Sequence, residues 1–156
     1  MIQMNVKQSI VINLPVEDIF AYMCDLENLV DWSSVTITVR NISPGAIHVG
    51  ATVRSTIRFL GRWSDMTFEI VECEPGRSLT IKSIAGVAPC LFCYQFELVE
   101  DRGTIVSQEA VIHLTGSMLG LEEPVVTRVV RRQLEHDLLT LKDLLEASAA
   151  THQSAG

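Results

Sequence analysis

The chain reads as an α+β domain: a curved antiparallel sheet of seven strands closed by one long carboxy-terminal helix, with two short helices between the first and second strands. Three observations predict this. Pro124 to Ala147 is the longest uninterrupted helical pattern in the 156 residues, with Val126, Val130, Leu134, Leu138, Leu141 and Leu145 at steps of three and four on one face. Ala51 to Leu60 alternates: Val53, Ser55, Ile57 and Phe59 point one way, and Thr52, Arg54, Thr56 and Arg58 the other. Arginines along one side put that face in water, which implies antiparallel pairing. Finally, the order is strand, two helices, six strands, helix; without βαβ alternation a doubly wound parallel sheet is excluded.

Each element has a local reason. Gln8 to Leu14 reads as the first strand and Pro15 stops it. Pro15 then opens a short helix in its first turn, where Glu17 and Asp18 complement the dipole and Val16, Ile19, Phe20 and Met23 form one apolar face. Asp25 can cap a second short helix, Leu26 to Val30, followed by Trp32. Both helices are too short to stand without the sheet. Strands are expected at Val35–Ile42, Ala51–Leu60, Trp63–Cys73, Ser78–Ile84, Pro89–Val99 and Thr104–Thr115. Turns are expected at Ser43-Pro44-Gly45, Gly61-Arg62, Glu74-Pro75-Gly76-Arg77 and Glu100-Asp101-Arg102-Gly103, and Gly116 to Leu121 links sheet to helix. The last helix begins with Pro124 in its first turn behind Glu122 and Glu123, and at ~1.5 Å per residue it is roughly 36 Å long. Residues 1–147 thus make one domain, and Ser148 to Gly156, small and polar, is a tail expected to fray.

Composition narrows the function. Hydrophobic residues are 47% and charged residues 20%, ordinary for a folded domain. A net charge of −7 argues against a general nucleic-acid binder and against docking on anionic membranes. The basic cluster Arg128, Arg131 and Arg132 lies beside acidic residues on the helix and reads as a solvated face. No apolar run approaches the ~20 residues of a spanning helix. MIQMNVKQSIVINLP carries no export signal, and four cysteines in a chain of this length do not form a secreted disulfide framework; a cytoplasmic setting is expected.

Four stretches together resemble one family. Ile10 to Trp32, IVINLPVEDIFAYMCDLENLVDW, resembles its first strand, paired short helices and tryptophan. Glu69 to Leu79, EIVECEPGRSL, resembles its strand, Glu-Pro turn and next strand. Gly103-Thr104-Ile105-Val106 resembles the start of its last strand, and the amphipathic terminal helix completes the set. The family is the START-like, or SRPBCC, superfamily of Bet v 1-type helix-grip proteins, in its polyketide cyclase/dehydrase and lipid-transport branch. The resemblance spans nearly the whole chain. It implies a cavity between sheet and helix for small hydrophobic or amphipathic molecules. It supplies no shared catalytic set, and the fold alone does not settle function.

The candidate chemistry is sparse. Cys90-Leu-Phe-Cys93 is a CxxC, but residues three apart on a strand face opposite sides, so these thiols read as structural and neither metal nor cofactor is expected. His48, His113, His136 and His152 have no motif around them, and His136 falls away from the apolar stripe. No GxSxG, Walker or Rossmann pattern occurs. Asp137 sits beside the stripe, about 60° from Leu134, where a carboxylate needs a partner, water or a backbone N–H. The expected lining of the cavity is Ser55, Ile57, Phe59, Phe68, Phe92, Tyr94, Phe96 and Gln108 from the sheet, with Phe92, Tyr94, Phe96 and Leu98 on one side of their strand. The helix adds Thr127, Val130, Arg131, Leu134 and Asp137. Trp32 and Trp63 read as packing residues. Three functions follow in order: a binding module for a small hydrophobic molecule; a cyclase or dehydratase on a polyketide-like substrate, using Tyr94, Gln108, Arg131 and Asp137; and a partner-binding helper or homodimer, through Val125, Val129 and Leu139 on the helix's opposite side.

Overall fold

The computed structural model describes residues 2–43, 47–99, 103–114 and 122–155. Seven strands form one antiparallel sheet: β1 (Ile2–Ile12), β2 (Thr36–Asn41), β3 (Thr52–Phe59), β4 (Arg62–Glu74), β5 (Ser78–Ala85), β6 (Cys90–Val99) and β7 (Gly103–Leu114). Their spatial order is β1-β7-β6-β5-β4-β3-β2, so the first and second strands are the two edges. The chain between them is α1 (Val16–Cys24), a single 3-10 turn (Leu26–Asn28) and α2 (Leu29–Trp32). These pieces cross one end of the sheet, and α3 (Glu123–Ala155) follows β7.

The first strand starts earlier than the polarity of Asn5 and Lys7 suggests. Met4, Val6 and Ile12 are buried at even positions, and the strand pairs with β7 in unbroken register from Ile2↔Leu114 to Ile12↔Thr104. The helix Leu26–Val30 of the sequence reading divides into the 3-10 turn and α2, with the Asp25 carboxylate accepting from the Glu27 amide at 3.2 Å. Pro15 is the residue just before α1, in extended geometry. The turn into β4 is Leu60-Gly61, one residue earlier than expected; both have positive φ, as a two-residue type I′ hairpin requires. In the Glu74–Arg77 turn Gly76 has φ +73° and the Arg77 amide bonds the Glu74 carbonyl at 2.9 Å. The turns at 44–46 and 100–102 and the link 116–121 lie outside the described residues.

The sheet bends where extra residues enter it. On β4 the register against β5 shifts at Thr67/Phe68 and again at Ile70/Glu72, and β2 shifts against β3 at Thr36/Thr38. Bulges raise local twist and bend the strand that carries them. The curved face so made receives α3. Val126, Val130, Leu138, Leu141 and Leu145 are all buried on it. The helix passes Ala147 and continues to Ala155, because Ser148 to Ala155 contains no proline or glycine and three of its residues are alanine. Its second half is clasped to β1: Lys142 donates to the Val11 carbonyl at 2.6 Å, and Glu146 accepts from the Asn13 amide at 2.9 Å.

Packing falls into two clusters. The larger joins Ile12, Ile19, Leu26, Ile70, Leu79, Val106, Leu138 and Leu141 beneath α1 and the second half of α3. The smaller joins Met4, Val126 and Val130 to Phe59, Ile112, Leu114 and Leu134 beneath its first half. Leu141, fully buried in the larger cluster, tests whether α3 is integral to the core. Leu141→Ala is expected to cost about 2–5 kcal/mol in urea denaturation, as a buried Leu loss does. A cost below about 1 kcal/mol would mean the helix rests on the sheet without close packing.

Candidate functional site

Between the two clusters the sheet and α3 border a partly open cavity of about 560 Å³. Strand alternation supplies its floor. Ser55, Ile57 and Phe59 reach it from β3, Phe68 from β4, Phe92 and Tyr94 from β6, and Gln108 from β7. Val130, Leu134 and Asp137 of α3 form its roof. Ten of the thirteen residues expected to line a pocket therefore do so.

The other three lie elsewhere. Phe96 is two residues beyond Tyr94, where α1 covers the sheet; its ring meets Phe20 edge-on with centroids 5.5 Å apart. Leu98, further along the same strand, is 75% exposed, past the end of the core. Thr127 and Arg131 line a shallow groove on the outer side of α3 with Arg128 and Arg132. The roof is centred near Val130 and Asp137, and at ~100° per residue Thr127 is about 60–80° and Arg131 about 100–120° from that centre. The apolar stripe averaged over the whole helix hides this, since its second half packs on a different part of the sheet. Of the residues on the opposite side, Val125 and Leu139 are exposed and Val129 is half-buried.

Several lining residues escaped the sequence reading. Trp32 and Trp63 both line the cavity. Trp32 is buried against Tyr94, with ring centroids 6.3 Å apart, whereas Trp63 is 60% exposed with the Arg58 guanidinium 5.8 Å from its ring centroid. Met66 and Ile81 follow from alternation on β4 and β5 and were legible in principle. Ser33, Val35, Val87 and Ala88 come from connecting segments, whose direction no periodicity encodes.

One polar rung crosses this apolar floor. Gln8, Gln108 and Tyr94 are direct neighbours on β1, β7 and β6. The Gln8 amide donates to Gln108 Oε1 at 2.6 Å, and Gln108 Nε2 donates to the Tyr94 hydroxyl at 3.0 Å. Burial pushes the Tyr94 phenol above its ordinary pKa against the Gln108 hydrogen bond, and the charge of Asp137 pushes the same way. Tyr94 is therefore a neutral phenol. Opposite the floor, Asp137 is 5% exposed and its Oδ1 accepts from the Ser34 amide at 3.0 Å. The side chain thus ties the segment after α2 to α3 while facing the cavity. Burial raises its pKa above the usual carboxylate range; Ser34 and His136 pull it back. His136 itself is exposed, with Nδ1 3.7 Å from Asp137 Oδ1.

The cysteines divide by strand parity. Cys90 lines the cavity with its amide bonded to the Ser83 hydroxyl at 2.8 Å, and Cys93 is on the other face. Burial pushes the Cys90 thiol up to about 11, with Ser83 opposing. Cys24 is pushed up to about 12 by burial and by neighbouring Cys73. Neither is primed as a thiolate. Among the described residues no group of three or more His, Cys, Asp or Glu could hold a metal, and no helix is long and apolar enough to cross a membrane.

A bent sheet, a long helix across it and a largely apolar, partly open space between them define a helix-grip protein with a cavity. The family model for polyketide cyclase / dehydrase and lipid transport matches residues 3–146, and the chain belongs to that family. A search of curated sequences finds no match. Among solved structures the fold is similar to a protein from Thermus thermophilus, at 18% identity over 93% of this chain and 99% of that one, TM-score 0.78. It is also similar to a START superfamily protein from Mycobacterium smegmatis, at 12% identity over 92% and 97%, TM-score 0.77. An aromatase/cyclase from Streptomyces sp. R1128 aligns at 16% identity over 92% and 94%, TM-score 0.70. At these identities the likeness is one of fold.

The raised carboxyl makes a pH prediction. A group whose folded pKa lies above its unfolded value binds more protons when folded, so stability falls as pH rises through that window. Asp137→Asn keeps an oxygen for the Ser34 amide and removes the charge. The variant is expected to be at least as stable as the parent near neutral pH, with the gap closing toward about pH 4, the ordinary aspartate value. Urea midpoints at the two pH values measure it; a gap that widens on acidification contradicts it.

Proposed function

We propose that this protein binds a small hydrophobic or amphipathic molecule in the cavity between the sheet and α3. The observation that carries the reading is the cavity itself: about 560 Å³, walled largely by aliphatic and aromatic side chains with a few inward polar groups. Pockets for small molecules have this size and character. Burying ~300 Å² of apolar ligand surface contributes roughly 7 kcal/mol gross, equivalent to about 10 μM before association costs, which weaken it further. Family membership supports the same reading.

Leu134→Trp tests it, because the larger side chain occupies the space above the floor. Displacement of the neutral dye N-phenylnaphthylamine by sterols, fatty alcohols and aromatic polyketides is the readout. The parent is expected to bind the dye at submillimolar concentration, and the variant at least about 10-fold more weakly with an unchanged thermal midpoint. Equal binding by both would place the dye outside the cavity.

A second reading is an enzyme of the cyclase or dehydratase type acting on a polyketide-like substrate. The facing pair of Tyr94 and Asp137 favours it, since burial holds both nearer their protonated forms. Arg131, exposed on the outer face of α3, drops out of this set. Tyr94→Phe and Asp137→Asn are each expected to lower turnover of such a substrate about 10²-fold or more if the group transfers a proton. Turnover unchanged in both removes the enzymatic reading and leaves the binding one intact.

A further inference from the structure

The polar side chains that line the cavity are hydroxyls and amides (Ser33, Thr36, Ser55, Ser64, Gln108 and Gln133), with Tyr94, Asp137 and the exposed Arg62. The Tyr94 hydroxyl accepts from Gln108, and Gln108 is held in turn by Gln8. A phenol is both donor and acceptor. With its acceptor role filled by Gln108, its proton has no acceptor among the described residues. Tyr94 is 4% exposed, so the group that fills this place reaches it from within the cavity. On the roof, the Asp137 carboxyl accepts from the Ser34 amide, with the Ser34 side chain and His136 also acting on it, and a carboxyl has acceptor capacity on two oxygens. It lines the same cavity and is near enough to Tyr94 for its charge to act on the phenol. Among the described lining residues the sole cation is Arg62, exposed on the β3–β4 hairpin.

These observations constrain the polar end of any guest. A buried donor without an acceptor costs free energy until something fills the place. The filler must accept from Tyr94. It gains further by donating to the acidic side chain opposite. An alcohol or phenol oxygen does both. A carboxylate meets the first need only, faces an acidic side chain and finds no buried cation; an unpaired buried charge is strongly disfavoured. We propose that Tyr94 and Asp137 form a two-point site for a ligand hydroxyl, so that the cavity selects uncharged alcohols or phenols and turns away carboxylates on the same skeleton. This rests on the cavity being the ligand site.

Three anthracene derivatives separate the two claims by their intrinsic fluorescence: hydroxymethylanthracene, methylanthracene and anthracene carboxylate. Methylanthracene reports entry to the cavity without the polar site. The alcohol is expected to bind about 5- to 10-fold tighter than methylanthracene, the gain of a buried hydrogen bond, and the carboxylate more weakly than either. Tyr94→Phe is expected to bring the alcohol down to the affinity of methylanthracene and leave methylanthracene unchanged. Asp137→Asn is expected to shrink the gap between alcohol and carboxylate several-fold. The proposal is overturned if Tyr94→Phe leaves the alcohol unaffected. It is equally overturned if the carboxylate binds as tightly as the alcohol and loses that affinity in Arg62→Gln, which would put the polar end at the hairpin. Failure of all three compounds to bind sinks the cavity reading itself, and the selectivity with it.

Discussion

One helix cannot fill a seven-stranded cup. Seven strands about 4.8 Å apart span roughly 29 Å, while a helix with its side chains is about 10–12 Å across. The bulges on β4 bend the sheet toward α3, yet the buried stripe from Val126 to Leu145 covers only part of the curved face. The remainder must be closed by something else. At one end α1 and the following turns do so, with Ile19, Met23 and Leu26 buried. Between that plug and the small cluster of Met4, Val126 and Val130 nothing from the described chain enters, and the cavity is what remains.

This mismatch also explains why the few inward polar groups stand out. In a filled core each would be paired within the protein. Gln8 and Gln108 are, because they are neighbours across β1 and β7 and reach each other directly. Tyr94 is longer and ends the rung on a strand whose side chains line the cavity. Asp137 is held on the other side by the Ser34 amide, so an acidic group stays at the boundary of an apolar volume. Floor and roof therefore differ in chemistry as well as in shape.

Much of the architecture was legible from short-range pattern. The alternation of Val53, Ser55, Ile57 and Phe59 predicted a buried face, and the structure has Val53 and Ser55 nearly inaccessible with Arg54 and Arg58 outside. The three- and four-residue steps on α3 predicted its buried stripe. What was not legible has common physical causes. Asn5 and Lys7 point outward from β1 and mask a strand whose inward residues are Met4 and Val6. Thr127 and Arg131 were set on the pocket because a helical wheel averages over two packing partners, when the first half of α3 faces the cavity and the second faces the main core. Phe96 obeys the same alternation as Tyr94, but α1 covers it, and only tertiary structure places α1 there. Val87 and Ala88 belong to a connection whose path no period describes.

The space between sheet and helix is the claim on which the rest stands. The most direct measurement is a crystal structure of the protein grown with a neutral aromatic dye. The account predicts dye density beneath α3, in contact with Leu134 above and with Phe92 and Tyr94 below, and Gln8–Gln108–Tyr94 still joined. Side chains such as Trp32 and Phe68 collapsed into that space, with the dye absent or on an outer face, would contradict it.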